Sequence, residues 1–139
     1  MNRPLYLHAQ LWLSALTVLL TTLPMRPAFL VDLHAVLGLV LLGTAHYCRV
    51  KLGQGRAHAS LARIALWTAV LVTAQAALGL ALYAAFRIGA PMPADVYTGL
   101  SAVHLVIGLG ILAESAGLFT GYGIWRQLVP SGEAQEARA

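Results

Sequence analysis

The sequence has little charge and almost no cysteine. Only 10% of its 139 residues are Asp, Glu, Lys or Arg, whereas a soluble domain usually carries about 25%. Hydrophobic residues make up 59% of the chain, so a small soluble globule would leave far too much apolar surface in water. The single Cys48 excludes an intrachain disulfide and the Cys-x-x-Cys motifs of metal sites. These shortages exclude a soluble, disulfide-stapled fold and indicate a membrane protein.

Basic residues outnumber acidic ones, which gives a formal charge of +4. They form no stripe that alternates with aromatic residues, so no nucleic-acid partner is indicated. Instead they lie between apolar runs, and the first and third connections hold only Arg26 and Arg87. The N-terminus, the middle connection and the C-terminal end hold all the others. The positive-inside rule therefore predicts that both termini are cytoplasmic and that the chain crosses the plasma membrane several times.

Four apolar stretches are long enough to cross a bilayer, which takes about 20 helical residues. They cover 5–23, 29–50, 61–86 and 96–120. The first is long for a signal peptide and ends without a small-residue cleavage site, so we interpret it as a helix. The sequence predicts an all-α, four-transmembrane-helix bundle over 1–125 and a polar, disordered tail over 126–139.

The second and fourth stretches share the pattern His-x-x-x-Gly, which begins at His34 and again at His104. Each stretch follows another apolar stretch, so the chain reads as two related helical hairpins. In such a duplicated bundle the second and fourth helices are parallel. The two histidines are then expected at similar depths in the membrane.

An ionisable side chain inside a membrane indicates a functional site by default. Two imidazoles at matched depth on facing helices can ligate one haem iron from opposite sides, and bundle interiors hold such sites. Gly38 and Gly108, one turn from His34 and His104, would let the flat macrocycle lie against each backbone. The carbonyl four residues back could accept a hydrogen bond from the second ring nitrogen. We predict a bis-histidine haem b site; the alternatives are histidines that bond to neighbouring helices, or zinc, which prefers three or four ligands.

Further polar residues extend this hypothesis. Arg26 and Arg87 are predicted to pair with haem propionates, because arginine favours carboxylates; the alternative is two interfacial anchors. Asp32 is either the N-cap of the second helix or a proton-transfer group beside the haem. His8 and His46 form a candidate second ligand pair near the inner surface, unless water satisfies both.

The third and fourth helices carry a family resemblance. Residues 75–80 (QAALGL), a short outer loop and then 103–105 (VHL) resemble the third and fourth helices of one half of a haem A synthase. In that family each four-helix half has one histidine at the start of its second helix and one in its fourth, positions that His34 and His104 match. The chain to about Thr120 is then similar to one half, like the compact archaeal forms. The family's acid three residues before the first histidine is replaced here by Val31, next to Asp32, and the outer-loop cysteine pair is missing.

The resemblance implies an oxidoreductase that converts the methyl group of haem O to the formyl group of haem A. It also implies a homo-oligomer, because the eight-helix enzymes divide cofactor and substrate haems between their halves, and haem O synthase or a terminal oxidase as partner. One alternative is a small b-type cytochrome that transfers electrons between quinone and a redox partner. His8 resembles the inner-haem ligand of those proteins, but their second histidine in helix 4 is replaced near Ser115. A third is a structural or ion-handling membrane subunit without a cofactor.

Overall fold

The computed structural model describes residues 3–23, 27–54 and 57–128, nearly all of them helical. Helix α1 covers Leu5–Thr22, α2 covers Ala28–Gln54, α3 covers Ala59–Tyr83 and α4 covers Ala94–Leu128. Helix α3 continues into a π-helical turn, Ala84–Ile88. All four helices are long and apolar enough to span a membrane.

Local signals explain where α3 begins and ends. The ring of His58, the residue before α3, accepts a hydrogen bond from the backbone N–H of Ser60 at 3.3 Å. At the other end the π-helical turn stops at Gly89, whose φ of +72° is a left-handed conformation that glycine adopts at no steric cost. The helix therefore ends before Pro91 and Pro93.

The four helices form a closed ring. Helix α1 packs against α2 and α4, and α3 packs against the same two helices. Helices α2 and α4 are therefore diagonal to each other and run in the same direction, with their N-terminal ends at one face of the bundle, here called the outer end. The structure confirms the predicted all-α four-helix bundle.

Packing differs between the two ends of the bundle. At the inner end a core cluster joins all four helices and includes Leu7, Cys48, Ala65 and Leu118. A second cluster, centred on Leu41, Ala45, Val72 and Ile111, fills the middle. Between this cluster and the outer end the helices enclose a cavity, and the candidate site lies there.

Two differences in helix boundaries from the sequence prediction affect residues that were assigned a role. Helix α2 begins at Ala28, so Asp32 lies inside the helix and is not its N-cap. Helix α4 extends to Leu128, so Arg126, Gln127 and Leu128 are helical although we predicted them as part of a disordered tail. The rest of that tail, 129–139, lies outside the described residues. Both helices extend beyond their most apolar stretch, because polar residues at the membrane–water interface can remain helical while their side chains contact water.

Candidate functional site

The structure brings His34 and His104 together. Their ring centroids are 5.9 Å apart and their planes are inclined by 67°. His104 lies about one turn further into its helix than His34, yet the rings still meet between the diagonal helices α2 and α4. The histidines of the two repeated His-x-x-x-Gly motifs therefore lie next to each other in the structure.

The two rings line a cavity of about 370 Å³ in the outer half of the bundle. Ligand pockets in proteins typically measure about 300–1,000 Å³ and have mostly apolar walls with a few placed polar groups. All four helices contribute to this wall. Its polar members are Thr17, Thr21, His34, Gln75, Tyr83, Tyr97, Ser101 and His104.

Helix α3 holds the backbone and the ring of His104. The side-chain amide of Gln75 donates a hydrogen bond to the carbonyl oxygen of His104 at 2.7 Å. One turn further on, a Cβ placed on Gly79 would be 2.9 Å from Cε1 of His104. Gly79 therefore lets the imidazole lie directly against the α3 backbone. Sequence reasoning used Gly79 only as part of a family pattern; its own signal is a glycine inside a long apolar helix.

The two motif glycines have different surroundings. A Cβ on Gly38 would meet no atom within 4 Å, so this part of the cavity wall is open. A Cβ on Gly108 would lie 3.3 Å from the side-chain nitrogen of Gln75 and 3.7 Å from Val18. Protein side chains already occupy the space beside Gly108, and only Gly38 leaves an open face one turn from its histidine.

One ring nitrogen of His104 has no protein partner among the described residues. Its Nδ1 is buried and makes no hydrogen bond, so the expected bond to the carbonyl of Leu100 is not formed. Buried polar atoms are nearly always paired with protein, water or an ion, and an exception requires an explanation. The donor set and the orphaned nitrogen fit a metal-centred ligand.

The spacing of the two rings fits such a ligand as well. A metal–imidazole bond measures about 2.0 Å, and the ring centroid lies roughly 1.1 Å beyond the bonded nitrogen. Two imidazoles on opposite sides of one metal therefore have centroids about 6 Å apart, and the observed separation is 5.9 Å.

A charged cluster lies at the outer rim of the cavity. Asp32 Oδ1 accepts hydrogen bonds from the Tyr83 hydroxyl at 2.9 Å and from Arg87 Nε at 3.2 Å, and Oδ2 accepts one from Arg87 Nη2 at 3.4 Å. This cluster joins α2 to the end of α3. Arg87, predicted as a propionate partner, thus pairs with Asp32 in this structure, and Arg26 lies outside the described residues.

The second candidate ligand pair has separate contacts. The ring of His8 packs edge-on against Phe119 of α4, with centroids 4.8 Å apart. His46 Nε2 lies 3.1 Å from the hydroxyl of Thr73 on α3. Each histidine therefore has a neighbour of its own, and the geometry gives no support to a second site between them.

Comparison of the chain with protein-family models, curated proteins and solved structures finds no match. The functional argument therefore depends on the geometry of the histidine cavity.

Proposed function

We propose that this protein is a haem-binding membrane oxidoreductase in which His34 and His104 would hold the haem iron. The observation that carries the proposal is the pair of imidazoles from diagonal helices, 5.9 Å apart in an apolar cavity. All four helices contribute mostly apolar side chains to the wall of this cavity, which suits a largely apolar ligand. A bound haem would supply the one-electron redox chemistry of its iron.

The surrounding residues have distinct roles in this proposal. The open wall at Gly38 gives the macrocycle a face of α2 to lie against, and Gln75 and Gly79 fix the position of His104. Arg87 has five N–H donors and uses two of them on Asp32, so the others can bind a propionate. Asp32 and Tyr83 orient that guanidinium, and Asp32 is the candidate proton acceptor beside the ligand.

The activity we favour is the one implied by the resemblance to haem A synthases, the oxidation of the haem O methyl group to a formyl group. This conversion takes one oxygen atom from water and releases four protons and four electrons to an acceptor. The chain holds a single described histidine pair of this geometry, so a homo-oligomer would provide separate sites for substrate and electron-transfer haems. Haem O synthase or a terminal oxidase would be its partner.

The second candidate is an electron-transfer cytochrome of b type. If His34 and His104 both held the iron, the haem would supply electron transfer and would not bind a reacting group at the same iron. A quinone and a redox partner would then exchange electrons through the protein.

The proposed location is the plasma membrane, with both chain termini in the cytoplasm. In the described residues Arg3, Lys51, Arg63 and Arg126 lie towards the inner end of the bundle, and Arg87 lies at the outer end. This asymmetry supports the orientation through the positive-inside rule.

Pigment extraction tests these proposals together. We expect a Soret band in protein purified from cells that also make haem O, and chromatography of the extracted haems then identifies the activity. Haem A or its hydroxymethyl precursor selects the synthase, and haem B alone selects the cytochrome. A colourless preparation would refute both.

The ligand assignment has its own test. We expect His34→Ala and His104→Ala each to abolish the bound chromophore, because each variant keeps only one of the two imidazoles that would hold the iron. His58→Ala is the control, since His58 caps α3 at the inner end, far from the cavity. Loss of the chromophore in His58→Ala, with retention in His34→Ala, would contradict the assignment.

A further inference from the structure

The inner half of the bundle has an open groove on its surface, between α1 and α2. Helix α1 contributes Leu5, Tyr6 and Ala9 to its wall, and α2 contributes Val40, Gly43 and Tyr47. Leu5 is 83% exposed, and Val40 and Tyr47 are 49% exposed. The groove therefore faces the surroundings of the bundle and not its interior. Both helices are long and apolar enough to span a membrane, so these surroundings are lipid.

The groove is apolar along most of its length, and protein side chains leave it unfilled. A Cβ on Gly43 would meet no atom within 4 Å. The hydroxyl of Thr44, which also lines the groove, donates to the carbonyl of Val40 at 2.9 Å. This part of the wall therefore offers no free donor, and its occupant is expected to be apolar.

Two glycines of α4 at the same end of the bundle are covered by protein side chains. A Cβ on Gly121 would lie 3.1 Å from Cδ2 of Leu61 on α3, and one on Gly123 would lie 2.6 Å from Nη2 of Arg3. Side chains thus fill the space where α4 meets its two neighbours, whereas the space beside Gly43 stays open. Because atoms beside an empty space lose dispersion contacts, a lipid chain is expected to fill the groove.

An aromatic pair and a cation lie at the inner end of the groove. The rings of Tyr6 and Tyr47 meet edge to face, with centroids 5.8 Å apart. Lys51 follows Tyr47 by one turn, and its Nζ is 5.5 Å from the centroid of the Tyr47 ring. Val40, Tyr47 and Lys51 are spaced by seven and four residues, so they share one face of α2. The groove therefore leads along α2 from an apolar section to a positive charge.

The ammonium group of Lys51 is available to an anionic partner. Lys51 is exposed and lies in the last turn of α2. Helix α2 has 27 residues, more than the roughly 20 that cross the hydrocarbon core, so its ends reach the level of the lipid headgroups. Lys51 has no ion-pair partner among the described residues, whose ion pair joins Arg87 to Asp32. Contact with the face of a tyrosine ring also leaves the three N–H donors of the ammonium free.

The other described cations of the inner end lie away from this groove. The Arg3 guanidinium packs against α4, 4.1 Å from the centroid of an aromatic ring. Arg49 precedes Lys51 by two residues, which turns it by about 200° around α2. Arg63 and Arg126 belong to α3 and α4. Lys51 is therefore the cation on the groove face of α2.

We propose that the groove between α1 and α2 binds one anionic phospholipid, with an acyl chain along Ala9, Val40 and Gly43 and the phosphate beside Lys51. A lysine near the membrane surface attracts anionic lipids. A zwitterionic lipid brings its own ammonium group to the same level, so its net attraction to Lys51 is weaker. The groove therefore selects lipids with a net negative headgroup. This inference depends on α1 and α2 alone and is independent of the proposed haem site.

Trp12 provides a reporter for the test. It is 69% exposed and follows Leu5 and Ala9 by seven and three residues, which places it on the groove face of α1. Trp67→Phe and Trp125→Phe together leave Trp12 as the only tryptophan of the chain. In phosphatidylcholine vesicles, small amounts of phosphatidylglycerol or phosphatidylcholine brominated on identical acyl chains quench Trp12 by contact. We expect brominated phosphatidylglycerol to quench at an about fivefold lower mole fraction, and added salt to reduce this preference.

Two variants locate the headgroup and the chain. Lys51→Gln should bring the ratio between the two brominated lipids close to one. Arg63→Gln is its matched control, because it removes an exposed cation from the same end of the bundle on another helix, and it should keep the preference. Gly43→Leu should weaken quenching by brominated phosphatidylglycerol, because the new side chain fills the groove. Gly110→Leu should not, since Gly110 is an exposed glycine of α4 whose Cβ would also meet no atom within 4 Å.

Several results would overturn the lipid site. Equal loss of preference in Arg63→Gln and Lys51→Gln would assign the effect to the general surface charge. Unchanged quenching in Gly43→Leu would remove the chain from the groove. Native mass spectrometry of the unaltered chain gives a second readout, in which one phosphatidylglycerol should be retained in preference to phosphatidylcholine. Equal retention of the two lipids would refute the site whatever the variants do.

Discussion

The contact between Gly79 and His104 provides the sharpest test of the site. A Cβ added by Gly79→Ala would lie 2.9 Å from Cε1 of His104, whereas carbon atoms in contact are normally about 3.5–4.0 Å apart. The imidazole must therefore move by roughly 0.6–1 Å, or α3 and α4 must separate by as much. Because the Gln75 amide holds the backbone of His104 from the same helix, the ring is the part that can move.

The expected effects on stability and on binding have different sizes. Crowding of this kind costs about 1–3 kcal/mol, and replacing a helical glycine by alanine returns about 0.5–1 kcal/mol. The ligand-free protein should therefore lose at most about 2.5 kcal/mol and remain folded. A metal–nitrogen bond of about 2.0 Å does not tolerate a comparable displacement, so we expect haem affinity to fall at least about tenfold, or ~1.4 kcal/mol.

The assay is a haem titration followed by the Soret band, together with thermal unfolding of the ligand-free protein. Gly110→Ala is the matched control, because a Cβ on Gly110 meets no atom within 4 Å and the residue is exposed. Gly79→Ala with the affinity of the control would show that the His104 ring does not require the gap in α3, and the assigned ligand geometry would be wrong.

Two other substitutions probe the walls of the same cavity. Gly38→Ala should leave the ligand-free protein as stable as Gly110→Ala does, because a Cβ at either position meets no atom within 4 Å. Gly38→Ala should nevertheless weaken haem binding, because its Cβ enters the part of the cavity where we expect the macrocycle. Equal haem affinities for the two variants would contradict this placement of the macrocycle beside Gly38. Arg87→Gln should leave the ligand-free protein nearly as stable as before, since the two side chains of its ion pair with Asp32 are 48% and 39% exposed and solvent screens the pair. It should weaken the binding of haem but not of haem dimethyl ester, which lacks free carboxylates, and equal losses for both ligands would exclude a propionate contact.

The sequence was sufficient to predict the scaffold and the central pair. Four long apolar runs predict four helices, and two hairpins in series make the second and fourth helices parallel. Once those helices are parallel, motifs at matching distances from the outer end must lie at similar depths. The contact between His34 and His104 follows from that argument, and it tolerates the one-turn difference in their positions.

The surroundings of the histidine pair could not be predicted from the sequence in the same way. Helices that are apolar on all sides carry no amphipathic stripe, so their sequence does not say which face points inward. For this reason the sequence did not show that the polar residues Gln10, Ser14 and Thr17 of α1 point into the bundle. Gln75 fills the space beside Gly108, and Asp32 binds Arg87. Both contacts depend on how two helices are rotated about their axes relative to each other. The packing of the whole bundle sets that rotation, so the sequence of one helix alone does not predict it.

The uneven packing of the bundle has an electrical consequence. Apolar clusters fill the inner and middle levels, so the histidine pair is separated from the inner surface by most of the low-dielectric thickness. If the site holds a haem as proposed, an electron that reached it from that side would cross most of the transmembrane field, which is worth about 2.3 kcal/mol per elementary charge for every 100 mV. The redox state of a centre at this level would therefore respond to the membrane voltage as well as to its electron donor.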